Sequence, residues 1–185
     1  SNNIVTPGTY QQTKQGFANF LAKFNENGVR VWGTYFGETG DITVAPAYCS
    51  VATDSTGEPY LSGSAFMNFL SSPDGYQQNV SNPAPFHRRY DAFAAKFSKD
   101  GQTRYFGTYY GGPEVECGNK TLLATDGFYI LGTTSSSQNI ATDGSHQPQF
   151  SNFIDGDPDL LANGFIVKFK ELPLSVEEKK KEGGQ

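Results

Sequence analysis

Three carboxylates at alternate positions form the sharpest chemical constellation in this 185-residue chain. Asp155, Asp157 and Asp159 are separated by one Gly and one Pro, which favour a turn. Hard cations such as Ca²⁺ take several oxygen ligands from one compact loop, so the segment is a candidate calcium site. An EF-hand is excluded because position 12 of that loop would be Ile166 instead of Glu. A solvated polar loop is the alternative interpretation of the same residues.

The chain contains two cysteines, Cys49 and Cys117, which are candidates for a disulfide bridge if the protein is exposed outside the cytoplasm. Counted from an Ala-Thr-Asp triplet that follows both, Cys117 lies four residues earlier in its strand than Cys49 does. That difference is a stagger of about 13 Å at the rise of a β-strand, whereas bridged Cα atoms lie within about 7 Å. Two buried thiols are therefore the alternative.

Two polar segments are candidates for recognition and modification. His87, Arg88 and Arg89 are the most basic point outside the C-terminal tail, and they suit contact with an acidic partner or a sugar, with ordinary loop charge as the alternative. Ser55 lies in an Asp-Ser-Thr triplet that resembles an acceptor pattern for O-linked glycans on some bacterial envelope proteins. The triplet falls in a predicted turn, where an attached sugar would be tolerated.

Glu114 and Glu116 are the acidic pair of a shortened segment ahead of a predicted strand. Paired carboxylates can divide the roles of general acid and general base when a cleft holds both. Alternating Glu beside a turn is the alternative, and we expect no catalytic residue in this chain.

These residues are embedded in an internal repeat. The sequence FLAKF at 20–24 returns as FAAKF at 93–97 and as FIVKF at 165–169, with offsets of 73 and 72 residues. The first two copies continue through turns ending in Gly28 and Gly101 into WGTYFG and FGTYYG. Two short aromatic runs joined by a turn that ends in Gly predict a β-hairpin. A fixed period of this length indicates an array of one repeated unit.

The repeat predicts four strands per complete unit. A second hairpin follows the first, because Ala-Thr-Asp at 52–54 and 124–126 is succeeded each time by a Tyr-containing strand. In the Phe-x-x-Lys-Phe motif both Phe point to one face and Lys to the other. We therefore expect the Phe side chains to pack in a core and Lys23, Lys96 and Lys168 to pair with carboxylates. The predicted strands are 17–24, 29–36, 44–53, 58–65, 91–97, 103–109, 118–125, 128–134 and 164–170.

The order of these elements resembles the bacterial β-propeller repeat labelled SBBP. The likeness is carried by DAFAAKF at 91–97, GTYYGG at 107–112, Ala-Thr-Asp at 124–126 and YILG at 129–132, and it covers most of residues 3 to 170. It implies four-stranded antiparallel blades around a central channel, within a large secreted or envelope protein. The family does not imply a particular reaction.

On this resemblance, residues 1–170 are an all-β, partial β-propeller of about two blades, which begins in the middle of a blade and belongs to a larger propeller. Residues 171–185 would add an edge strand and a charged flexible tail. The expected function is that of a non-catalytic scaffold or adhesive binding module of a bacterial secreted or cell-surface protein. A subunit of a larger envelope or secretion assembly, a glycan-binding module and a polysaccharide-active enzyme are the alternatives.

Composition limits the partners. Aromatic residues make up 14% of the chain beside 21 Gly and 10 Pro, which is typical of an all-β protein with many turns. A formal net charge of −5 without a long basic cluster argues against nucleic acid. No apolar run approaches the roughly 20 residues that cross a bilayer, so no membrane insertion is expected. The expected partners are the remaining blades or a partner protein, with a glycan as a further candidate, and the candidate calcium is the one cofactor.

Overall fold

The computed structural model describes residues 4–14, 18–37, 49–66, 68–81, 89–151 and 162–169. Within these ranges the chain forms β-strands and no helix, which confirms the predicted all-β class. Each predicted strand corresponds to an observed one. The strands are β1 (Ala18–Phe24), β2 (Arg30–Gly37), β3 (Cys49–Thr53), β4 (Pro59–Ala65), β5 (Asp91–Phe97), β6 (Arg104–Tyr110), β7 (Glu116–Ala124), β8 (Gly127–Thr134) and β9 (Asn163–Phe169).

The strands form three antiparallel sheets in chain order. The first sheet is β1-β2, the second is β3-β4-β5-β6 and the third is β7-β8-β9. The repeat holds at the level of register, because Ala22 pairs with Gly33 in the first sheet as Ala95 pairs with Gly107 in the second. Both hairpins shift register directly after the repeated Lys. Repeated sequence therefore produces repeated strand pairing.

The second sheet is covered on both faces, and every residue of β4 and β5 is buried. Alternate residues of β5 point to opposite faces. Phe93 and Phe97 pack toward the first sheet in one core, which includes Trp32 and Phe36. Ala94 belongs to a second core against the third sheet. The three sheets are thus stacked face to face around two aromatic-rich cores.

The connection between β4 and β5 folds back over the free edge of β6. Ser72 N donates to Gly107 O at 2.8 Å, and Tyr109 N donates to Gln77 O at 2.9 Å. The approach requires glycine, because a Cβ at Gly107 would lie 1.7 Å from Leu70 O. Exposed strand edges invite unwanted pairing, and this connection closes one. The N-terminal segment covers β2 in the same way: Thr6 N donates to Gly33 O at 2.8 Å and Tyr35 N donates to Gln11 O at 3.0 Å.

Candidate functional site

Two buried carboxylates meet where the second and third sheets join. Asp91 begins β5 and Glu116 begins β7, and they are 2% and 0% exposed. The ideal Cβ position of Gly111 lies 2.7 Å from Asp91 Oδ1 and 2.6 Å from Glu116 Oε2. Both carboxylates therefore border one small space that exists because residue 111 has no side chain.

Asp91 is held by donors from the connection between β4 and β5. Gln77 Nε2 donates to Asp91 Oδ2 at 2.6 Å, and Ser81 N donates to the same oxygen at 2.8 Å. Burial raises the pKa of Asp91 to about 6, and the nearby charge of Glu116 acts in the same direction against these hydrogen bonds. The carboxyl thus titrates closer to neutrality than an exposed Asp.

Glu116 is held by donors from the β6–β7 connection and from the end of β8. Gly112 N donates to Glu116 Oε2 at 2.9 Å, and Thr134 Oγ1 donates to Glu116 Oε1 at 2.6 Å. Ser136 extends the network, because its main-chain N donates to Thr134 Oγ1 at 2.9 Å. Buried charge is tolerated when hydrogen bonds satisfy it. The contacts of Glu116 therefore suit a structural acceptor at the junction of the sheets.

An open cleft of about 830 Å³ lies beside this pair. Ser81, which donates to Asp91, and Gly111, which borders both carboxylates, are among its lining residues. The cleft is bounded by the connection after β4, the end of β6, the connection after β8 and the edge of β9. Its lining residues are Tyr76, Gln77, Asn79, Val80, Ser81, Tyr110, Gly111, Asn139, Ile140, Ala141, Thr142, Val167, Lys168 and Phe169.

The repeated lysines pair with carboxylates in the second and third sheets, as the sequence predicted. Lys96 Nζ lies 2.6 Å from Glu58 Oε2 and 5.1 Å from the centre of the Tyr60 ring. Burial alone would lower the pKa of Lys96, but hydrogen bonds to Glu58 and Tyr60 raise it above its ordinary value. Lys168 pairs with Asp126 at a more exposed position. These contacts tie the β3–β4 and β7–β8 turns to the third strand of each sheet.

The two cysteines lie on strands that pack together, β3 and β7. Cys49 is an exposed free thiol and Cys117 is a buried free thiol. The structure therefore holds no bridge between them. Formation of the disulfide under oxidising conditions stays a prediction.

The predicted glycan acceptor Ser55 is exposed in the turn between β3 and β4. Asp54 Oδ1 organises this turn by accepting from Thr56 N and Glu58 N, both at 3.0 Å. Arg89 forms an ion pair with Glu114 at 3.1 Å across exposed surface. Its contact therefore lies within the chain, and recognition of an acidic partner stays a prediction.

The other predicted site residues, which are His87, Arg88, Asp155, Asp157 and Asp159, lie outside the described residues. Within the described part of the chain, no group of three or more His, Cys, Asp or Glu side chains is arranged to hold a metal ion. The calcium site therefore stays a prediction about residues 155–159.

Sequence reasoning missed the meeting of Asp91 with Glu116. The available signal was the recurrence of Gln at 11, 77 and 147, one per connection. Two of these, Gln77 and Gln147, donate to the first residue of the following strand. A repeated amide outside the strands thus marked the position where two of these connections are attached to their sheets.

No family model matches the chain, and no curated protein matches it. Within the described ranges there is no helix long and apolar enough to cross a membrane. The structure defines the class of the protein as an all-β repeat of antiparallel sheets stacked face to face.

Proposed function

We propose that this chain is a segment of a β-propeller and serves as a non-catalytic binding scaffold in a bacterial secreted or cell-surface protein. Three features support the propeller: stacked antiparallel sheets, a strand register repeated between them and short hairpins within each. The likeness to the SBBP repeat supports the setting. The scaffold role follows from what the two outermost sheets expose.

The main support for the proposal is that one repeated motif is buried in the second sheet and exposed in the first. Phe93 and Phe97 in the second sheet are 0% and 1% exposed, because the first sheet covers them. Phe20 and Phe24 hold the same positions in the first sheet and are 59% and 58% exposed. We call the surface that carries them the first outer face. Covering each ring would stabilise an assembly by about 1–2 kcal/mol.

The third sheet presents the complementary surface. Ile166 is 70% exposed, whereas the residues at its position in the first and second sheets, Leu21 and Ala94, are 8% and 0% exposed beneath the next sheet. We call the surface that carries Ile166 the second outer face. Exposed apolar surface at positions that a repeat buries elsewhere is typical of an interaction site. Each outer face is thus suited to receive a further sheet.

The buried carboxylates support a structural role over catalysis. Asp91 accepts hydrogen bonds from the β4–β5 connection, and Glu116 accepts from the β6–β7 connection and from the end of β8. Removing the hydrogen-bond acceptor at either position would disturb the junction itself. Subunit assembly in an envelope or secretion complex would use the same two outer faces.

Sedimentation velocity on the full chain tests the proposal. The repeat makes the two outer faces complementary, so copies should associate head to tail at high micromolar concentration. A variant with both Phe20→Ser and Phe24→Ser should weaken this association at least tenfold. Val29→Ser is the matched control, because Val29 is 60% exposed but lies in the β1–β2 turn, off the stacked faces.

A monomeric wild-type protein at every concentration would refute the scaffold role of these faces. Release of reducing ends from any member of a polysaccharide panel would refute the non-catalytic part and favour the polysaccharide-active alternative. Saturable binding on a glycan array without product release would instead favour a glycan-binding module.

A further inference from the structure

Among the described residues, no strand of the third sheet takes the place that β2 and β6 take in the other two. One edge of β9 pairs with β8, and no described strand pairs with its other edge. The repeat specifies what belongs there. Val167 corresponds to Ala95, which pairs with Gly107 of β6. A fourth strand would therefore place Gly opposite Val167 and a Gly-Thr-aromatic sequence along β9.

The connection that covers such a strand is already in position. Gln147 Nε2 donates to Asn163 Oδ1 at 3.2 Å, which reproduces the contact of Gln77 with Asp91 in the second sheet. A tight turn at 142–145 also recurs, since Ser145 N donates to Thr142 O at 3.1 Å as Gly75 N donates to Ser72 O at 2.9 Å. Two local contacts of the covering segment are therefore the same whether or not a described strand lies beneath it.

One polar atom in this connection is buried and unsatisfied. Ser145 Oγ has no hydrogen-bond partner among the described residues, although it is closed off from solvent. Its counterpart Thr9 Oγ1 donates to Thr6 O at 2.7 Å and to Gly33 O of β2 at 3.1 Å. A buried hydroxyl without a partner is costly. The carbonyl of a strand glycine would satisfy Ser145 as Gly33 satisfies Thr9.

The cleft described above occupies this place. Val167, Lys168 and Phe169 of β9 line one side, and Ile140, Ala141 and Thr142 of the connection line the other. We propose that the cleft binds an extended segment of a partner protein that carries an aromatic-Gly-Thr-aromatic sequence and completes the third sheet. This mode of recognition is strand addition at a sheet edge. It rests on the proposed scaffold function and names the chemistry of its partner.

Glycine is required in that segment for a steric reason. A Cβ would lie 1.7 Å from Leu70 O at Gly107 and 2.0 Å from Ile4 O at Gly33, so both existing copies of the arrangement exclude a side chain there. Residues 170–185 do not meet this requirement, because they contain no aromatic residue and no Thr, and their glycines are 183 and 184. The strands β2 and β6 are already paired and covered within their own sheets. Neither the tail at 170–185 nor the two strands with this sequence therefore fit the place, and a partner segment is the occupant that we assign to it.

Fluorescence polarisation with a labelled peptide of residues 101–112, GQTRYFGTYYGG, tests the inference on the full chain. The peptide should bind saturably, and the same peptide with Gly107→Val should bind at least tenfold more weakly. In the protein, Ser145→Ala should weaken peptide binding about fivefold without lowering the stability of the free protein, because the hydroxyl has no partner until the strand arrives. Thr9→Ala is the control, since it removes a hydroxyl that is already bonded and should destabilise the free protein.

Absence of peptide binding would overturn the inference. The same result is expected if residues 170–185 or a second copy of the chain fill the cleft. Equal binding of the Gly107→Val peptide, or a loss of free-protein stability in Ser145→Ala, would also overturn the inference. Association through the outer faces is measured separately, with the variant that carries Phe20→Ser and Phe24→Ser, and these changes leave every residue that lines the cleft unaltered. Failure of the strand site and failure of the scaffold function are thus distinguishable.

Discussion

The charge of Asp91 should make the folded protein less stable as the pH rises toward neutrality. Asp91 is 2% exposed, faces Glu116 and accepts from Gln77 and Ser81. Burial raises its pKa from 3.8 to about 6. Between those two values the folded state holds a proton that the unfolded chain has released, so the free energy of unfolding falls as pH rises through this window. The contribution of Asp91 to the free energy of unfolding is most favourable below pH 3.8.

The magnitude follows from the size of the shift. A pKa difference of roughly two units corresponds to about 3 kcal/mol between low pH and pH 8. Asp91→Asn removes the charge and keeps a carbonyl oxygen for the donor of Gln77. We therefore expect the variant and the wild type to be similar near pH 4 and the variant to be more stable by up to about 3 kcal/mol at pH 8.

Urea unfolding followed by Trp32 fluorescence, at intervals from pH 4 to 8 in EDTA, measures this difference. Asp143→Asn is the control, because it changes an exposed carboxyl. The difference in unfolding free energy between this variant and the wild type should stay nearly constant from pH 4 to 8. A difference between wild type and Asp91→Asn that is constant with pH, or that favours the wild type increasingly above pH 6, would refute the reasoning.

Three further outcomes follow. Gly107→Ala should destabilise the protein by about 3 kcal/mol or more in urea unfolding, because the new Cβ would overlap a loop carbonyl. Lys96→Met should cost about 2 kcal/mol because the half-buried Glu58 carboxylate loses its ion-pair partner, with a much smaller loss in Lys168→Met, and equal losses would contradict this ranking. Mass spectrometry after alkylation in denaturant without reductant should show two adducts, at Cys49 and Cys117, whereas no adduct would show that they are bridged.

The strands and their pairing were predictable because they depend on local pattern. In FAAKF at 93–97 the two Phe are four residues apart, so strand geometry alone places them on one face. The turn at Gly101 has a φ of 71°, and the repeated Gly at this point predicted that hairpin. Recurrence of the motif at 20–24 and 165–169 then located the other hairpin and the last strand.

The carboxylate junction was not predictable by the same means. Asp91 and Glu116 belong to different sheets, and Gly111 places them beside one space only after those sheets have stacked. The sequence suggested Glu116 only as the neighbour of Glu114 in an acidic pair. In the structure Glu114 pairs with Arg89, and Glu116 points into the interior. Spacing along the sequence does not indicate which side chains of two stacked sheets come into contact.

By itself, the sequence determined the all-β class, the repeated unit and the face on which each side chain lies, because these follow from short-range periodicity. The tertiary structure alone decided which copies of a motif are buried: Phe93 is 0% exposed and Phe20 is 59% exposed at the same repeat position. It also decided that β9 keeps an edge without a described strand. The physical reason is that burial and edge pairing depend on the neighbouring sheet and strand, which identical local sequence does not specify.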